Sequence, residues 1–458
     1  MKTGVILAAG LGKRMNSKNH KVVHRVCGKP IIAQIVHEMR AVELDRLFVV
    51  VGRLEDQVRG VLGDSVEYVR QEEQLGTGHA VLQALPYLPE EGVTVVLYGD
   101  CPLIRSDEIT RLIRTAQETG GTTLMTAELD DPHSFGRVLR GADGTVERIV
   151  EERDATPEQR AIREVNSGIY AFQTRHLRAA LPKLTFENAQ RELLLTDCVG
   201  IIRAAGDSVV PVMVRDADDI VNVNDRVQLA VCEEKLRRRI LLRHMQNGVT
   251  FIDPAATYVE SDVVIGRDTV VWPGTYLRGA TVIGEDCVIG PAAQLTDAQI
   301  EDGAEVNSSV VVQSRIGAGA AIGPFAYVRP GSRVGERVKI GDFVEIKNST
   351  IGNDTKVSHL AYIGDSDVGA GVNVACGVVT ANYDGFRKHR TVIGDDSFIG
   401  CNVNLVAPVE IGDGSYIATG STITESIPEG SFAIARERQT TKAGYAATLR
   451  TRLKDGKK

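Results

Sequence analysis

An aliphatic residue recurs every six positions through much of the second half of the chain, usually followed by Gly or another small or polar residue. This period matches neither an amphipathic helix, with its 3.6-residue turn, nor the two-residue alternation of a half-buried strand. It is typical of short strands joined by tight turns. The phase slips by one residue in places, and the repeating positions are Ile265, Val271, Leu277, Ile283, Ile289, Leu295, Ile300, Val306, Ile322, Val328, Val334, Ile340, Ile346, Ile351, Val357, Ile363, Val368, Ile393, Ile399, Leu405, Ile411, Ile417 and Ile423.

Stacked turns of such a chain predict a parallel β-helix. Each aliphatic side chain would point to the axis, backbone pairs would join coils about 4.8 Å apart, and Gly or Asn would take corners that need positive φ. No coil buries its aliphatic face alone, so the coils must fold together. A β-rich sandwich with accidental spacing accounts poorly for so many matching positions.

The repeat is interrupted between Val368 and Ile393, where the chain runs through the polar segment Thr380–Arg390. We expect this segment to loop out of the coil. Loops held by a rigid scaffold are where function concentrates, so this interruption marks a candidate site.

The first half of the chain shows strands alternating with helices. An apolar strand, Val5–Ala9, precedes a Gly-containing turn, a helical stretch from about Ile31 and a second strand, Leu47–Val51. This alternation predicts a parallel sheet whose faces are covered by helices.

One amphipathic helix is predicted from Asp225 to Gln246, with Asn247 and Gly248 ending it. Three consecutive arginines within it, at positions 237–239, have glutamates nearby. A solvated helical face therefore explains them better than a nucleic-acid contact does.

The composition is that of a mildly acidic globular protein. The chain has 458 residues, 43% hydrophobic and 25% charged, with a formal net charge of -7. This length predicts more than one domain, and the charge balance excludes a dedicated nucleic-acid binder. No apolar run approaches the roughly 20 residues that span a bilayer, and no charged-then-apolar leader precedes the first strand. Secretion and membrane spanning are not expected.

The seven cysteines are scattered, with neither metal-type spacing nor the even count of a disulfide framework. A reducing cytoplasm is the compartment that fits them best.

The turn after the first strand has phosphate-binding chemistry. Small residues from Ala8 to Gly12 let backbone amides approach an anion, and Arg14 and Lys21 supply positive charge. Gly-rich turns are common after a first strand, and this one matches neither the Walker spacing nor the dinucleotide fingerprint.

Two further stretches point to a nucleotide. The amide of Gln71 can read a base edge, and the open backbone of Gly76 and Thr77 can line its flat face. Asp100 follows the buried-type strand Val93–Leu97, and open α/β sheets bind ligands at the carboxyl ends of their strands. A carboxylate beside phosphates suggests Mg²⁺, whereas a turn-forming Asp after a strand remains the alternative.

Taken together, these motifs resemble nucleotidyltransferases that join a sugar 1-phosphate to a nucleoside triphosphate. The chain is most similar to the bacterial family of bifunctional N-acetylglucosamine-1-phosphate uridyltransferases and glucosamine-1-phosphate acetyltransferases, and the resemblance covers essentially all of it. Further matching segments are Phe135–Arg137, Ile149–Glu152, Asn166–Tyr170, Val223–Arg226, Ser358–Gly364 and Asn382–Gly385.

The resemblance implies an α/β Rossmann-like nucleotidyltransferase domain followed by a left-handed parallel β-helix of hexapeptide repeats. The implied bounds are 1–224 for the first domain, 225–247 for a connecting helix, 248–437 for the β-helix and 438–458 for a C-terminal tail that we expect to be mobile through Lys457 and Lys458. It also implies a homotrimer whose second sites lie between coils of adjacent subunits.

For the first domain, the resemblance implies Mg²⁺ on Asp100 and Asn224, phosphate contacts from Arg14 and Lys21, and sugar contacts from three further residues, Gly136, Glu151 and Asn166. Two alternatives remain. Gly136 would be only a turn residue, and Glu151 and Glu152 would be a solvated pair of charges. The full set for UTP and the UDP-sugar is Leu7, Ala8, Ala9, Gly10, Arg14, Lys21, Gln71, Gly76, Thr77, Tyr98, Gly99, Gly136, Glu151, Asn166 and Asn224.

For the β-helix, His359 is the expected base, because acylating an amine requires a neutral nucleophile and imidazole titrates near working pH. The resemblance implies that glucosamine 1-phosphate binds Arg329, Glu345, Lys347, Tyr362 and Asn373. It implies that acetyl-CoA binds Cys376, Asn382, Tyr383, Cys401, Thr419 and Arg436. Cys376, Cys401 and Thr419 depart from the small Ala or Ser residues typical of the family's coenzyme groove.

The expected function is acetylation of glucosamine 1-phosphate by acetyl-CoA, then UMP transfer from UTP to the product, for cell-wall and envelope precursors. The partners would be these small molecules, with no nucleic acid and no membrane span. The alternative is a sugar-nucleotide pyrophosphorylase whose β-helix only holds a trimer together, and a non-enzymatic scaffold is disfavoured by the Asp100 and Asn224 pair.

Overall fold

The structure, a computed structural model, describes residues 1–456 and divides into two compact units. The first unit is Met1–Ile240 and the second begins at Leu241. The division falls within a 21-residue helix, Arg226–Gln246, in the stretch predicted to be helical. The four domain bounds proposed from the sequence stay predictions, and Lys457 and Lys458 of the expected tail lie outside the described residues.

The first unit is built on a nine-stranded sheet. Seven strands follow the order β11-β7-β10-β6-β1-β4-β5, and β8 pairs with β10 and β9. A separate two-stranded ribbon is formed by β2 and β3. The strands are β1 (Lys2–Ala8), β2 (Arg25–Val26), β3 (Lys29–Pro30), β4 (Arg46–Val51), β5 (Glu67–Arg70), β6 (Val93–Tyr98), β7 (Thr122–Glu128), β8 (Arg137–Arg140), β9 (Val146–Val150), β10 (Glu164–Gln173) and β11 (Val209–Met213).

The large sheet is mixed rather than wholly parallel. β1, β4, β5 and β6 run parallel to one another, and β11 runs parallel to β7, but β10 is antiparallel to both β6 and β7. The alternating pattern did not reveal this because β10 follows the antiparallel pair of β8 and β9, and only the four-residue helix α5 separates β9 from β10.

Helices cover this sheet. The interior includes Phe48, Tyr170 and Phe172, each at most 1% exposed, and the rings of Tyr170 and Phe172 stack with centroids 5.1 Å apart. The helices of the chain are α1 (Ile31–Arg40), α2 (Glu55–Leu62), α3 (Thr77–Ala84), α4 (Ser106–Thr119), α5 (Pro157–Arg160), α6 (Thr174–Ala180), α7 (Asp197–Ala204), α8 (Arg226–Gln246) and α9 (Tyr445–Asp455).

The second unit is a parallel β-helix, as the six-residue period predicts. Its short strands stack into three parallel sheets of 11, 10 and 9 strands. The first coil sheet contains Thr250–Phe251, Val270–Val271, Val288–Ile289, Glu305–Val306, Ala321–Ile322, Lys339–Asp342, Lys356–His359, Asn373–Val374, Phe398–Ile399, Tyr416–Ile417 and Phe432–Ala433. The second contains Tyr258–Val259, Tyr276–Arg278, Gln294–Thr296, Val310–Val312, Tyr327–Val328, Glu345–Lys347, Tyr362–Gly364, Val379–Ala381, Asn404–Val406 and Thr422–Ile423. The third contains Val264–Ile265, Val282–Ile283, Gln299–Ile300, Arg315–Ile316, Arg333–Val334, Thr350–Ile351, Ser366–Val368, Thr391–Ile393 and Val409–Ile411.

Every third repeat position stacks on the same sheet, as Val271, Ile289 and Val306 do. These aliphatic side chains are buried along the axis. Val311 and Ile316, which follow one another at five-residue steps, fill the gap that the six-residue pattern left between Val306 and Ile322, and both are fully buried. A five-residue step therefore tightens a corner without losing the inward position.

The interruption of the repeat is a protruding loop, residues 382–390, between strands Val379–Ala381 and Thr391–Ile393. Tyr383 and Lys388 form an antiparallel bridge across it. Asp384 accepts hydrogen bonds from the backbone N–H groups of Phe386 and Arg387 and lies 2.7 Å from Nε2 of His389. These contacts lower the pKa of Asp384 to about 2 and give the loop an ordered interior.

Residues 1–456 contain no helix with the length and apolar composition needed to cross a membrane.

Truncating an axial side chain should destabilise the second unit. Ile340 is fully buried, and Ile340→Ala should lower the free energy of unfolding by roughly 2–5 kcal/mol because it leaves a cavity among stacked side chains. Chemical denaturation followed by circular dichroism measures the change. The exposed neighbour on the same strand supplies the control, Lys339→Ala, which should stay within about 0.5 kcal/mol of the parent. Equal effects of the two variants would contradict the axial packing.

Candidate functional sites

A cavity of about 440 Å³ opens at the carboxyl ends of β1 and β6 in the first unit. The chain passes from β1 to β4 and β5 on one side and returns through β6 on the other, so the crevice lies where the strand order reverses. The residues that line it are Leu7, Ala8, Ala9, Gly10, His20, Lys21, Val22, Gln71, Gln74, Gly76, Thr77, Ala80, Tyr98, Asp100, Glu151, Gln190, Glu192 and Leu194.

The turn after β1 places Lys21 at this cavity. Gly12 has a φ of 61°, and a Cβ on it would lie 2.6 Å from the Cβ of Lys21. Glycine is therefore required both by the backbone conformation and by the close approach of the lysine.

The ammonium group of Lys21 joins two oxygens that are far apart in sequence. Its Nζ donates to a carboxylate oxygen of Asp100 and, at 3.0 Å, to Oδ1 of Asn224. The backbone N–H of Val223 donates to the Asp100 carbonyl at 2.8 Å, and Gln228 accepts from the N–H of Asn224 at 2.8 Å. Backbone contacts thus hold the two oxygens beside one cation.

This pair fits a magnesium ion in its donor chemistry. Asp100 is 9% exposed, and its Oδ1 has no hydrogen-bond partner among the described residues. One carboxylate and one amide oxygen suffice for Mg²⁺, which takes the rest of its shell from phosphate and water. Within residues 1–456, no three His, Cys, Asp or Glu side chains are grouped so as to hold a metal by themselves.

Gln71 and Gly76 form a second side of the cavity. Gln71 is 3% exposed, and its Nε2 donates to the Gly76 carbonyl at 3.2 Å and lies 3.0 Å from Nδ1 of His79. Gly76 has a φ of 115°, and a Cβ there would meet the Leu193 carbonyl oxygen at 2.5 Å. The amide is therefore held in place, and the backbone beside it stays open.

Glu151, Gly136 and Asn166 are brought together at the far side. Thr196 donates to Oε1 of Glu151 at 3.0 Å, the N–H of Asn166 donates to the Gly136 carbonyl at 2.9 Å, and a Cβ on Gly136 would lie 3.7 Å from Oε2 of Glu151. Burial raises the pKa of Glu151. The hydrogen bond from Thr196 acts to lower this pKa, but the neighbouring acidic groups raise it further. The carboxyl group is thus a partly desolvated acceptor at the edge of the cavity.

The structure divides the predicted nucleotide residues among three places. Arg14 and Asn224 line an adjoining cavity of about 650 Å³ that shares Glu151 with the first. Gly99, Gly136 and Asn166 are not among the lining residues of either cavity, but Gly99 donates to the carbonyl of Leu7, which lines the first. The others line the first cavity.

Sequence analysis missed five polar residues here, besides the apolar Val22, Ala80 and Leu194. His20, Gln74, Gln190 and Glu192 line the first cavity, and Thr196 binds Glu151. Burial, and then the charge of Lys21, lower the pKa of His20 to about 4, so this imidazole is neutral. Gln190, Glu192 and Thr196 lie between the short 3₁₀ turn Leu181–Lys183 and α7, in a segment without a periodic pattern, and nothing in the sequence signalled them.

In the second unit, His359 pairs with Asp342 from the coil before it. Nδ1 of His359 lies 2.6 Å from Oδ1 of Asp342, and the two residues are in register on adjacent strands. The hydrogen bond with His359 lowers the pKa of Asp342. Because Nδ1 is held by the carboxylate, Nε2 is the nitrogen left to act as a base. His359 is 63% exposed at its side chain, so this nitrogen is open to a substrate.

A cationic group lies one corner away, around the buried Asp365. Oδ2 of Asp365 accepts from Lys347 at 2.8 Å and from Asn382 at 2.5 Å, and Oδ1 accepts from Asn348 at 2.7 Å. Burial acts to raise the pKa of Asp365, but these three donors together lower it. The carboxylate thus anchors the start of loop 382–390 to the coil.

Further charge surrounds this anchor. Lys388 from the loop lies near Lys347, which lowers the pKa of Lys388, and Arg329 pairs with Glu345 at 2.7 Å. Asn382 lies 3.4 Å from the hydroxyl of Tyr362. Arg329, Glu345, Lys347, Tyr362 and Asn382 are therefore neighbours. Asn373 lies on the first coil sheet, and no hydrogen bond between described residues joins it to this group.

Three of the predicted coenzyme residues, Cys376, Cys401 and Thr419, follow one corner of the coil, whereas Asn382 and Tyr383 lie on loop 382–390. We name the corner column as Asp342, His359, Cys376, Cys401 and Thr419, which occupy the same corner on successive coils. Backbone hydrogen bonds from Gly377 to the Leu360 carbonyl, from Asn402 to Cys376 and from Gly420 to Cys401 hold these corners together at 2.8–2.9 Å. A Cβ on Gly420 would lie 3.7 Å from Cδ of Arg436, which places Arg436 beside Thr419.

The hydroxyl of Tyr383 donates to the Gly385 carbonyl at 2.6 Å, which leaves its ring on the exposed loop. Sequence analysis missed Asp342, Asp365 and Lys388. Asp342 was detectable in principle, because three repeat steps separate it from His359 and residues so spaced stack.

Comparisons with known proteins agree with these two units. The MobA-like NTP transferase domain matches residues 4–198, and the bacterial transferase hexapeptide (six repeats) matches 313–348 and 390–425. The chain is 52% identical over 443 residues to the bifunctional protein GlmU of Acetivibrio thermocellus and 50% identical over 444 residues to that of Brevibacillus brevis, with 96% of each chain covered. It is 51% identical over 454 residues to that of Caldanaerobacter subterraneus subsp. tengcongensis, covering 99% of this chain and 98% of the relative.

Removing the Asp365 carboxylate should release loop 382–390. Asp365→Ala leaves Lys347 and Asn382 without their buried acceptor, and losing one partner of a buried pair costs about 3–5 kcal/mol. Trypsin should therefore cut after Arg387 or Lys388 more than about 100-fold faster where cleavage follows local opening. The exposed Asp354 also binds an arginine, Arg337, so Asp354→Ala is the matched control and should leave the cleavage rate unchanged. Equal cleavage of both variants would show that Asp365 does not anchor the loop.

The same anchor predicts a dependence on pH. Since the pKa of Asp365 is lowered in the folded chain, its contribution is fully present above the ordinary aspartate pKa. It is lost as the pH falls through the lowered value. An acid-stable protease applied to parent and Asp365→Ala chains should thus give cleavage rates that converge at acidic pH.

Proposed function

The chain belongs to the family of bifunctional GlmU proteins, and we propose from its two sites that it acetylates glucosamine 1-phosphate and then uridylylates the product. Acetyl-CoA would be the acetyl donor, and UTP would supply UMP to N-acetylglucosamine 1-phosphate, which gives UDP-N-acetylglucosamine and pyrophosphate. The observation that carries the proposal is that each unit has its own group of hydrogen-bonded polar side chains. Lys21 contacts Asp100 and Asn224 in the first unit, and His359 contacts Asp342 in the second.

In the uridylyl transfer, a phosphate oxygen of the sugar phosphate attacks the α-phosphorus of UTP as the bond to pyrophosphate breaks. Positioning and charge neutralisation carry such a reaction. Gln71, Gly76 and Thr77 would hold the base, and Ala9 and Gly10 would take the ribose side. Arg14 and Lys21 would neutralise phosphate oxygens, and the Glu151, Asn166 and Gly136 group would accept the sugar.

Asp100 and Asn224 would hold Mg²⁺, which when bound supplies positive charge to the phosphates. Lys21 now donates to both of these oxygens. The lysine would therefore move from them to a phosphate group when the ion and nucleotide bind.

In the acetyl transfer, the amine nitrogen attacks the thioester carbonyl carbon, and the coenzyme A thiolate leaves. Nε2 of His359 would take the proton that the amine must lose, and Asp342 would hold the ring and stabilise the imidazolium as a positioning residue. Lys347, Lys388 and Arg329 would bind the sugar phosphate, with Tyr362, Glu345 and Asn373 completing its site. The proton then passes to the leaving thiolate, so no charge is left on the base.

Acetyl-CoA would lie along the corner column, with its thioester at His359. Cys376, Cys401 and Thr419 would line the groove, Arg436 would meet a phosphate of the coenzyme, and Asn382 and Tyr383 would close the groove from the loop. A homotrimer would place these sites between coils of adjacent subunits. We further propose that the enzyme works in the cytoplasm and supplies cell-wall and envelope precursors.

A uridylyltransferase whose coil only assembles the trimer is the competing function. The held imidazole of His359, its carboxylate partner, and two lysines beside Asp365 support the bifunctional proposal over it. A β-helix that only assembled a trimer would not require an imidazole held by a carboxylate close to a group of lysines.

Asp100→Ala should abolish pyrophosphate release while sparing acetyl transfer. Removing the carboxylate deletes one of two proposed metal oxygens, and the uridylyl rate should fall at least about 100-fold. Magnesium-dependent pyrophosphate release from UTP and N-acetylglucosamine 1-phosphate measures this rate. Thiol release from acetyl-CoA measures the acetyl transfer rate. Asp64→Ala, an exposed carboxylate of the same unit, is the control. Size-exclusion chromatography checks assembly, and a full uridylyl rate in Asp100→Ala would refute the assignment.

His359→Ala should lower the acetyl transfer rate by about 10²–10⁴-fold, the usual contribution of a general base. Asp342→Asn should lower kcat by about tenfold or more and leave the KM for acetyl-CoA unchanged, because the amide keeps the ring contact but removes the charge that stabilises the imidazolium. Glu336→Gln, on the outside of a nearby coil, is the matched control. Uridylyl transfer should be intact in all three variants. An unchanged acetyl transfer rate in His359→Ala would contradict the assignment of His359 as the base.

A further inference from the structure

Two cysteines of the second unit, Cys376 and Cys401, occupy the same corner on adjacent coils. Val374 pairs with Ile399 at the ends of their strands, and Cys376 and Cys401 follow two residues later, each in the turn after its strand. The N–H of Ala375 donates to the Ile399 carbonyl at 2.9 Å, and the N–H of Asn402 donates to the Cys376 carbonyl at 2.8 Å. Hydrogen bonds on both sides of the pair thus keep the two cysteines in register.

The spacing of adjacent coils is compatible with a disulfide at this corner. Neighbouring parallel strands lie about 4.8 Å apart, and disulfides join residues whose Cα atoms are about 4.4–6.8 Å apart. The flanking backbone hydrogen bonds hold the two turns at this spacing.

The pair also differs in accessibility from the rest of the cysteines. Cys376 is exposed and Cys401 half-buried, whereas the other five cysteines are buried. Burial raises the pKa of the Cys198 and Cys232 thiols to about 12, so these two are poor nucleophiles. Oxidants in solution should reach Cys376 first.

We propose that Cys376 and Cys401 are a redox modification site, at which a reversible disulfide across two coils switches off acetyl transfer. The formation of the disulfide rests on the register and exposure of the pair. Its effect on activity rests on the function proposed above, because Cys376 follows His359 directly in the corner column. A covalent bridge one coil from the base would occupy the corner along which acetyl-CoA would lie.

The chemistry requires an oxidant of the low-molecular-weight disulfide class. The Cys376 thiolate attacks one sulfur of such a disulfide, which forms a mixed disulfide and releases one thiol. The Cys401 thiolate then attacks the Cys376 sulfur and releases the second thiol. Overall, two protein thiols become one disulfide, and the small disulfide is reduced to two thiols. A dithiol reductant reverses both steps.

The test uses the full-length chain incubated with oxidised glutathione and then assayed for both activities. Peptide mapping by mass spectrometry should find Cys376 linked to Cys401, and acetyl transfer should be lost while uridylyl transfer continues at its full rate. Dithiothreitol should restore acetyl transfer. The proposal is overturned if the two thiols stay free or pair elsewhere under excess oxidant. It is equally overturned if the disulfide forms and the acetyl transfer rate does not change.

Cys376→Ser and Cys401→Ser separate the bridge from simple thiol capping. Each variant is compared only with itself, oxidised against reduced, because either substitution can change the basal rate. Cys401→Ser should stop at the mixed disulfide with glutathione, and Cys376→Ser should form no bridge. The doubly substituted chain should keep the same acetyl transfer rate under both conditions, and a loss on oxidation in that chain would place the sensitive thiol elsewhere.

These outcomes distinguish the inference from the function on which it rests. A reduced chain with no acetyl transfer at all contradicts the proposed function. Peptide mapping still shows in that case whether Cys376 and Cys401 form a disulfide. A reduced chain that transfers acetyl groups but forms no bridge contradicts the inference alone.

Discussion

The backbone hydrogen bonds between successive coils decide which side chains of the second unit can act together. The register follows from the buried aliphatic positions, because a slip of one residue would turn every inward side chain outward. That constraint sets Asp342 beside His359 and Cys376 beside Cys401, although each pair is separated by a full coil of sequence. The chemistry of the corner column thus depends on packing at the axis.

Both units also use a lysine held by a carboxylate from a distant part of the chain. Lys21 contacts Asp100 in the first unit, and Lys347 contacts Asp365 in the second. Both ion pairs are largely shielded from solvent, so each lysine is held in one place by its carboxylate. In the second unit the arrangement also lowers the pKa of Asp365, because its donors outweigh burial, which alone would favour the neutral carboxyl group.

The coil departs from its repeat at loop 382–390, beside the candidate site around Asp365. The residues of loop 382–390 contact Asp384 within the loop and Asp365 on the coil, and they do not pack along the axis. Residues at functional sites often break local rules that the surrounding scaffold obeys. The regular coils on either side supply the rigidity that lets this loop protrude without losing its position.

The sequence by itself determined the parallel β-helix, the presence of an α/β unit and a helix across Arg226–Gln246, and the family resemblance supplied much of the predicted lining of the first cavity. Periodicity reports burial directly, and a residue that follows a strand must lie at the edge of the sheet. Only the tertiary structure decided that β10 is antiparallel, that Asn224 and Asp100 share Lys21, and that Asp342 and Asp365 belong to the second site. These are contacts between residues far apart in the chain, and local propensity carries no information about which distant side chains will meet.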